Sequence, residues 1–270
     1  MSRRPTVLVI AGHDPTGGAG LQADIETLQA HGVRPVTLVT ALTAQDTRGV
    51  RHLWPQSASD LREQARILLD DIAVDGVKIG AIGSSTLVPV VVEILSGLDV
   101  PVVLDPVLAS GGGQTLGDCV LTEWVAQALL PLATLATPNV LEACHLLGLD
   151  LHAAGEPDRL GSGLLARGAG AILLTGTHAE STEVVNRLYR PEGPPMLWSW
   201  PRLAAEYHGS GCTLAASAAA LLALGLPLAE AAGAAQAYTW EALAAGEPVG
   251  RGQWLPTRQA AAVGRPGSAA

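Results

Sequence analysis

Five short segments carry the side chains that could do chemistry, and the richest is His208-Gly209-Ser210-Gly211-Cys212-Thr213. Two glycines stand at the head of a long Ala-rich helix. Main-chain N–H groups at such a start have no helical partner and suit developing negative charge. Cys212 falls in the first turn, where the helix dipole is expected to lower a thiol pKa and favour thiolate. A group there can take a proton from an attacking alcohol. The alternative is a buried, inert Cys at the head of its helix.

A second segment, Ala11-Gly12-His13-Asp14-Pro15-Thr16-Gly17-Gly18-Ala19-Gly20, joins the first strand to the first helix. Clustered glycines admit positive φ and close approach of a ligand to the backbone. Gly18 to Ala23 also fits the loose dinucleotide pattern G-x-G-x-x-A. The polar stretch Gly12 to Thr16 argues against that use, because a dinucleotide fold runs its strand almost directly into the first glycine. Asp24, one helical turn past Gly20, either points back at the loop or is solvated. In Thr40-Ala41-Leu42-Thr43-Ala44-Gln45-Asp46-Thr47, Gln45 offers a donor and an acceptor to a flat heterocycle, or sits on a surface loop. In Leu104-Asp105-Pro106-Val107, Asp105 ends a buried strand. It either holds Mg²⁺, which prefers oxygen ligands, or starts an Asp-Pro turn. In Thr137-Pro138-Asn139-Val140-Leu141-Glu142-Ala143, Asn139 and Glu142 have the spacing of a capping box, and both also suit nucleotide phosphates and their metal.

Positioning these segments requires a layered α/β fold. Apolar runs that read as buried parallel strands are Thr6–Ala11, Pro35–Leu42, Val77–Gly80, Pro101–Leu104, Thr134–Ala136 and Ala171–Thr175. Helical patterns lie between them at Gly20–His31, Ala58–Asp71, Thr86–Leu95, Thr122–Leu130, Val140–Leu147 and Asp158–Arg167. Such alternation predicts an open, mostly parallel sheet with helices on both faces and ligands beyond the carboxyl ends of the strands. Glu183–Tyr189 and Met196–Leu203 flank a Pro- and Gly-rich stretch and predict a hairpin. Two Ala-rich helices follow, Cys212–Ala223 and Leu228–Ala245. One domain spans residues 1–270, with the tail after about 248 expected to fray at its end.

Of the 270 residues, 48% are hydrophobic and 15% charged, and Phe is absent. The chain can therefore bury a large core of small aliphatic side chains. A net charge of −9 argues against a nucleic-acid partner but not against a phosphate held by backbone amides and Mg²⁺. Cys119, Cys144 and Cys212 suggest neither a disulfide framework nor a zinc site, and fit a reducing, cytoplasmic setting. The longest apolar stretch, Cys212 to Leu226, is short of the ~20 residues a membrane span needs.

Taken in order, the five segments, with Val77-Lys78-Ile79-Gly80, resemble the hydroxymethylpyrimidine/phosphomethylpyrimidine kinases of thiamine biosynthesis, within the ribokinase-like superfamily. The resemblance spans nearly the whole chain. It implies a ribokinase-like α/β fold and ATP-dependent phosphorylation of 4-amino-5-hydroxymethyl-2-methylpyrimidine and of its monophosphate. Pyridoxine or pyridoxal kinase, in the same superfamily, is the alternative. Asp24 and Gln45 would hold the pyrimidine, with Ala19, Thr43 and Val107 lining its pocket. Gly209, Ser210, Gly211 and Cys212 would form the anion hole, with Cys212 where many sugar kinases of the superfamily carry an Asp base. Asn139 and Glu142 would serve Mg·ATP, Thr175 and Gly176 would lie under the nucleotide, and Asp105 would arrange Mg²⁺ and water. A homodimer is the common assembly. The chain departs from the family at Ala81, often Met. It also lacks a Lys after Val107 and at Thr175.

Overall fold

Alternation along the first strand sets the layers. In the computed structural model, which describes residues 3–109, 113–177 and 181–259, β1 (Thr6–His13) sends Leu8 and Ile10 into one apolar core and Val7, Val9 and Ala11 into another. Period-two side chains on a strand buried from both sides require a covering layer on each face. The layer over Leu8 and Ile10 includes α2 (Ala58–Asp71), α3 (Val88–Ser96), α5 (Val140–Leu147) and α6 (Pro157–Ala166). It also includes α4 (Leu121–Trp124), which widens into a π-type turn at Val125–Leu129 and tightens at Leu130–Leu132, around Pro131. The opposite layer is α1 (Gly20–Ala30), α7 (Ser210–Ala223) and α8 (Leu228–Ala244).

The sheet has nine strands in the order β3-β2-β1-β4-β5-β6-β7-β8-β9. The strands besides β1 are β2 (Arg34–Asp46), β3 (Gly49–Pro55), β4 (Gly76–Ile79), β5 (Val102–Leu104), β6 (Leu135–Ala136), β7 (Ile172–Leu174), β8 (Glu183–Tyr189) and β9 (Met196–Pro201). From β2 to β7 the pairing is parallel, and β3, β8 and β9 add antiparallel edges. Crossovers reverse direction beside β1, so the carboxyl ends of β1, β4 and β5 flank a switch point, the usual ligand edge.

Two differences from the sequence reading matter for the site. β2 does not stop at Leu42 but runs to Asp46, and β3 returns antiparallel to it, pairing Gln45 with Val50 and Leu42 with Trp54. The hairpin therefore projects past the sheet and carries Thr43 and Gln45. The segment after the last helix is also ordered as far as it is described. Trp254 and Leu255 form bridges to Tyr207 and Glu247, and the end of the tail, residues 260–270, lies outside the described residues, as do Ser110 to Gly112. No helix among the described residues is long and apolar enough to cross a membrane.

Candidate active site

The helix start at residue 210 is uncapped. Gly209 occupies the N-cap of α7 with φ 74° and offers no side chain to the turn. Any Cβ there would overlap the Gly18 carbonyl, so glycine is required both by its left-handed φ and by the close approach of the loop. Among the described residues, no protein acceptor meets the main-chain N–H groups of Ser210, Gly211 and Cys212, and Gly211 is exposed. These are the orphan donors of a helix N-terminus, left open to an anion.

Beneath that turn lies a buried charge cluster. Lys78 comes from β4, with no accessible surface on its side chain. Its Nζ lies 2.8 Å from Asp24 Oδ2 and 3.8 Å from Asp105 Oδ2. Burial alone would lower the Lys78 ammonium, but the carboxylates of Asp24 and Asp105 outweigh it and raise it. Burial pushes the Asp24 carboxyl up while Lys78 pulls it back. The same balance leaves the Asp105 carboxyl raised, burial outweighing the opposing pull of Lys78. One cation thus faces two carboxylates, and both Asp24 Oδ1 and Asp105 Oδ2 are buried without a hydrogen-bond partner.

The thiolate expectation for Cys212 is overturned here. Burial drives its thiol well above the ordinary range, and the Asp105 and Asp24 charges add to that against Lys78. The dipole of α7 favours an anion, but the site already holds two carboxylates for one ammonium. Cys212 therefore carries its proton.

The loop after β1 is built around Asp14. Its carboxylate accepts from the Thr16 N–H (2.8 Å), the Thr16 hydroxyl (2.8 Å) and the Ala19 N–H (2.8 Å), and lies 2.8 Å from His208 Nε2. Burial would raise Asp14, but the His208 and Thr16 bonds outweigh it and hold the carboxyl well below its usual range. His208 precedes the α7 turn, so this bond ties the glycine loop to that turn.

The remaining candidates fall into two groups. Asn139, Glu142, Thr175 and Gly176 come together at the ends of β6 and β7. Asn139 accepts from the Glu142 N–H and Glu142 accepts from the Asn139 N–H, each at 2.9 Å, so the capping box is real. Asn139 bridges Thr175, whose N–H donates to the Pro138 carbonyl at 2.9 Å, and the Gly176 N–H donates to Asn186 Oδ1 at 3.1 Å. Glu142 keeps some accessible surface, yet burial raises its carboxyl to about 8, with the Asp105 charge adding to the shift.

Thr43 and Gln45 belong to the hairpin side. Thr43 donates its hydroxyl to the His13 carbonyl at 2.9 Å. Gln45 lines an open pocket of about 410 Å³ with Pro15, Thr16, Asp46, Arg251 and Leu255. Asp24, Asp105 and Cys212 do not line this pocket. Asp24 and Gln45 are therefore not neighbours in one cavity: Asp24 is sealed against Lys78. Ala19 and Val107 are half-buried on the flanking loops.

These loops, strand ends and helix starts match known proteins along almost their whole length. A family model for phosphomethylpyrimidine kinase matches residues 14–257. The chain belongs to the phosphomethylpyrimidine kinase family. A hydroxymethylpyrimidine/phosphomethylpyrimidine kinase of Streptomyces coelicolor is 40% identical over 250 residues, covering 92% of each chain. The crystal structure of phosphomethylpyrimidine kinase from Clostridium difficile aligns with a TM-score of 0.76 at 32% identity, over 89% of this chain and 99% of that one. The ADP complex of Bacillus subtilis pyridoxal kinase aligns with a TM-score of 0.86 at 27% identity, over 95% and 98% of the two chains. The fold is ribokinase-like, with its sheet mostly parallel and helices on both faces.

Within this phosphomethylpyrimidine kinase fold, three side chains take places that sequence reasoning left without a role. Lys78, Asp14 and His208 all sat inside the recognised segments, but Lys78 lies 54 residues from Asp24 and His208 lies 194 residues from Asp14 in the chain, and each pair meets only in space. Lys78 also supplies a buried cation in a chain lacking lysine after Val107 and at Thr175.

Proposed function

We propose that the protein transfers the γ-phosphate of ATP to the hydroxymethyl oxygen of 4-amino-5-hydroxymethyl-2-methylpyrimidine, and then phosphorylates the monophosphate. The observation that carries this reading is the uncapped start of α7, whose free N–H groups stand above Cys212 and Asp105. Phosphoryl transfer needs positioning and charge stabilisation more than covalent chemistry, and unpaired amides supply the second. Gly209, Ser210, Gly211 and Cys212 form the anion hole. Gln45, with Ala19, Thr43 and Val107, holds the pyrimidine, and Asp24 acts through Lys78 beneath it. Asn139, Glu142, Thr175 and Gly176 serve the nucleotide.

A relay through the Cys212 thiol to the nearby Asp105 carboxylate gives the alcohol proton a route. The thiol sulfur receives the proton of the attacking hydroxyl as its own proton passes to the carboxylate. The residues also suit Mg²⁺. Asp105 Oδ2 is a buried oxygen without a hydrogen-bond partner, and Mg²⁺ needs only one or two carboxylates besides phosphate oxygens and water. Asp105 and Glu142 would hold the ion, which when bound neutralises charge on the phosphates. A cytoplasmic location and a homodimer complete the reading. The exposed, cross-strand pair Leu42 and Trp54 suits a subunit contact.

The close superposition on pyridoxal kinase favours a second reading, pyridoxal phosphorylation. The higher sequence identity to pyrimidine kinases and Gln45 in its Ala-Gln-Asp-Thr setting support the first. Mass-spectrometric detection of mono- and diphosphate products from hydroxymethylpyrimidine and Mg·ATP tests the proposal. Faster turnover of pyridoxal in a parallel assay replaces it with the second reading.

A further inference from the structure

An arginine beyond the matched region reaches into the centre of the site. Arg258 lies one residue past the end of the family match, in irregular chain after α8, yet its side chain is only 1% exposed. Burying a guanidinium is costly unless its donors are satisfied. Here Nε donates to Thr213 Oγ1 at 2.9 Å, Nη1 to the Gly17 carbonyl and to Glu26 Oε2, each at 3.2 Å, and Nη2 to the Gly18 carbonyl. Thr213 in turn donates its hydroxyl to the Gly209 carbonyl at 2.9 Å. A single planar fork therefore touches the glycine loop, the first turn of α7 and α1.

The consequence for the loop follows from the peptide unit, whose C=O and N–H point opposite ways in one plane. In the Gly17–Gly18 peptide, Arg258 holds the carbonyl while the Gly18 N–H donates to Thr16 Oγ1 at 3.1 Å. In the Gly18–Ala19 peptide, Arg258 holds the carbonyl while the Ala19 N–H donates to Asp14. Both planes are gripped at each end, in a stretch of glycine that would otherwise rotate freely.

The chain that delivers Arg258 is itself pinned along its length. The Gly252 N–H donates to Thr47 Oγ1 at 3.0 Å and the Gln253 N–H to the Thr47 carbonyl at 2.8 Å, at the tip of the β2–β3 hairpin. The His208 N–H donates to the Trp254 carbonyl at 2.9 Å, and the Thr257 N–H to the Ala242 carbonyl at 3.0 Å. Hairpin tip, α7 turn and α8 thus share one strap, and Arg258 ends it at the glycine loop.

We infer that Arg258 is a positioning residue for phosphoryl transfer, locking the glycine loop against the first turn of α7 so that pocket wall and anion hole keep one register. The inference rests on the anion-hole role proposed above for Gly209–Cys212. Misplacing reacting groups by about 1 Å costs on the order of a hundredfold, so the effect belongs in kcat more than in KM.

The test compares Arg258→Lys, Arg258→Met and Glu26→Gln with wild type, by steady-state kinetics and thermal melts. Wild-type turnover of hydroxymethylpyrimidine reports on the substrate reading. The variant-to-wild-type ratio, taken with whichever alcohol the wild type phosphorylates, reports on Arg258. Arg258→Lys keeps charge and length but loses the fork. It is expected to fold and to lose about tenfold or more in kcat, with KM for both substrates within about threefold. Arg258→Met is expected to fall further, and if it does not fold, the Lys variant decides. Glu26→Gln leaves the grip on the loop and on Thr213 intact and is expected to stay near wild type. A folded Arg258→Lys with kcat within about twofold of wild type overturns the inference. So does a loss in Glu26→Gln that matches the loss in Arg258→Lys.

Discussion

Two helices begin at the ligand edge of the same sheet and treat their first turns in opposite ways. α5 closes its N-terminus with its own side chains, Asn139 and Glu142 each accepting a main-chain N–H of the other. α7 begins at a glycine and leaves its amides open. Both ends carry the same partial positive charge. What differs is who uses it: in α5 the protein does, for stability, and in α7 it is left for something that binds. The contrast teaches that the absence of a cap at an open, glycine-bearing turn is as informative as the presence of one.

Substitutions can break this contrast, and Gly209→Ala is expected to do so most severely. The new Cβ meets the Gly18 backbone in a left-handed conformation, so the open turn cannot keep its place. Loss of such donors typically costs about 10²–10³-fold in kcat, measured by single-turnover phosphorylation. Cys212→Ala is expected to follow, losing at least about two decades in kcat with little change in melting temperature. Near-normal turnover in that variant removes the thiol from the chemistry.

On the capped helix the effects are smaller and thermodynamic. Asn139→Ala removes the cap and is expected to cost about 1 kcal/mol, or about 2–4 °C in Tm. An unchanged melt with impaired ATP binding would make Asn139 a nucleotide ligand first and a cap second. Glu142 gives the subtlest test. Its carboxyl rises from 4.5 to about 8 on folding, so the folded state binds a proton that the unfolded chain has released. Stability from this group is therefore lost as pH climbs from about 4.5 to about 8, and is level beyond. Glu142→Gln is expected to flatten that slope in melts across the window without nucleotide.

Most of the scaffold was legible because it is written in long apolar runs. Ala58–Asp71, Val140–Leu147 and Glu183–Tyr189 were bounded from sequence as they stand in the structure. The β3 strand was missed because Arg51, His52, Trp54 and Pro55 face solvent, so Gly49–Pro55 has no buried stripe to read. The helix expected over Thr122–Leu130 breaks its regular turns before Pro131, whose ring cannot continue it. In the site, local motifs pointed to Asn139, Glu142, Gly209 and Cys212. The protonation of Cys212 was not legible, because a dipole is a local property while Lys78, Asp24 and Asp105 converge on the thiol from three other elements. Arg258 gave no signal at all, lying in irregular chain whose partners sit 232 and more residues away, apart from Thr213.

The alanines of α7 have an effect beyond filling space. Ala215, Ala218, Ala219 and Ala220 are buried almost completely in the core that α1, α7 and α8 form with the sheet. Methyl groups let helix and strands approach closely, so the thickness of this layer sets how high the 209–212 turn stands over the strand ends. Replacing one of these methyls with a branched side chain would act like a shim: it would tilt the helix and lift its first turn from Asp105, far from where the extra carbons were inserted.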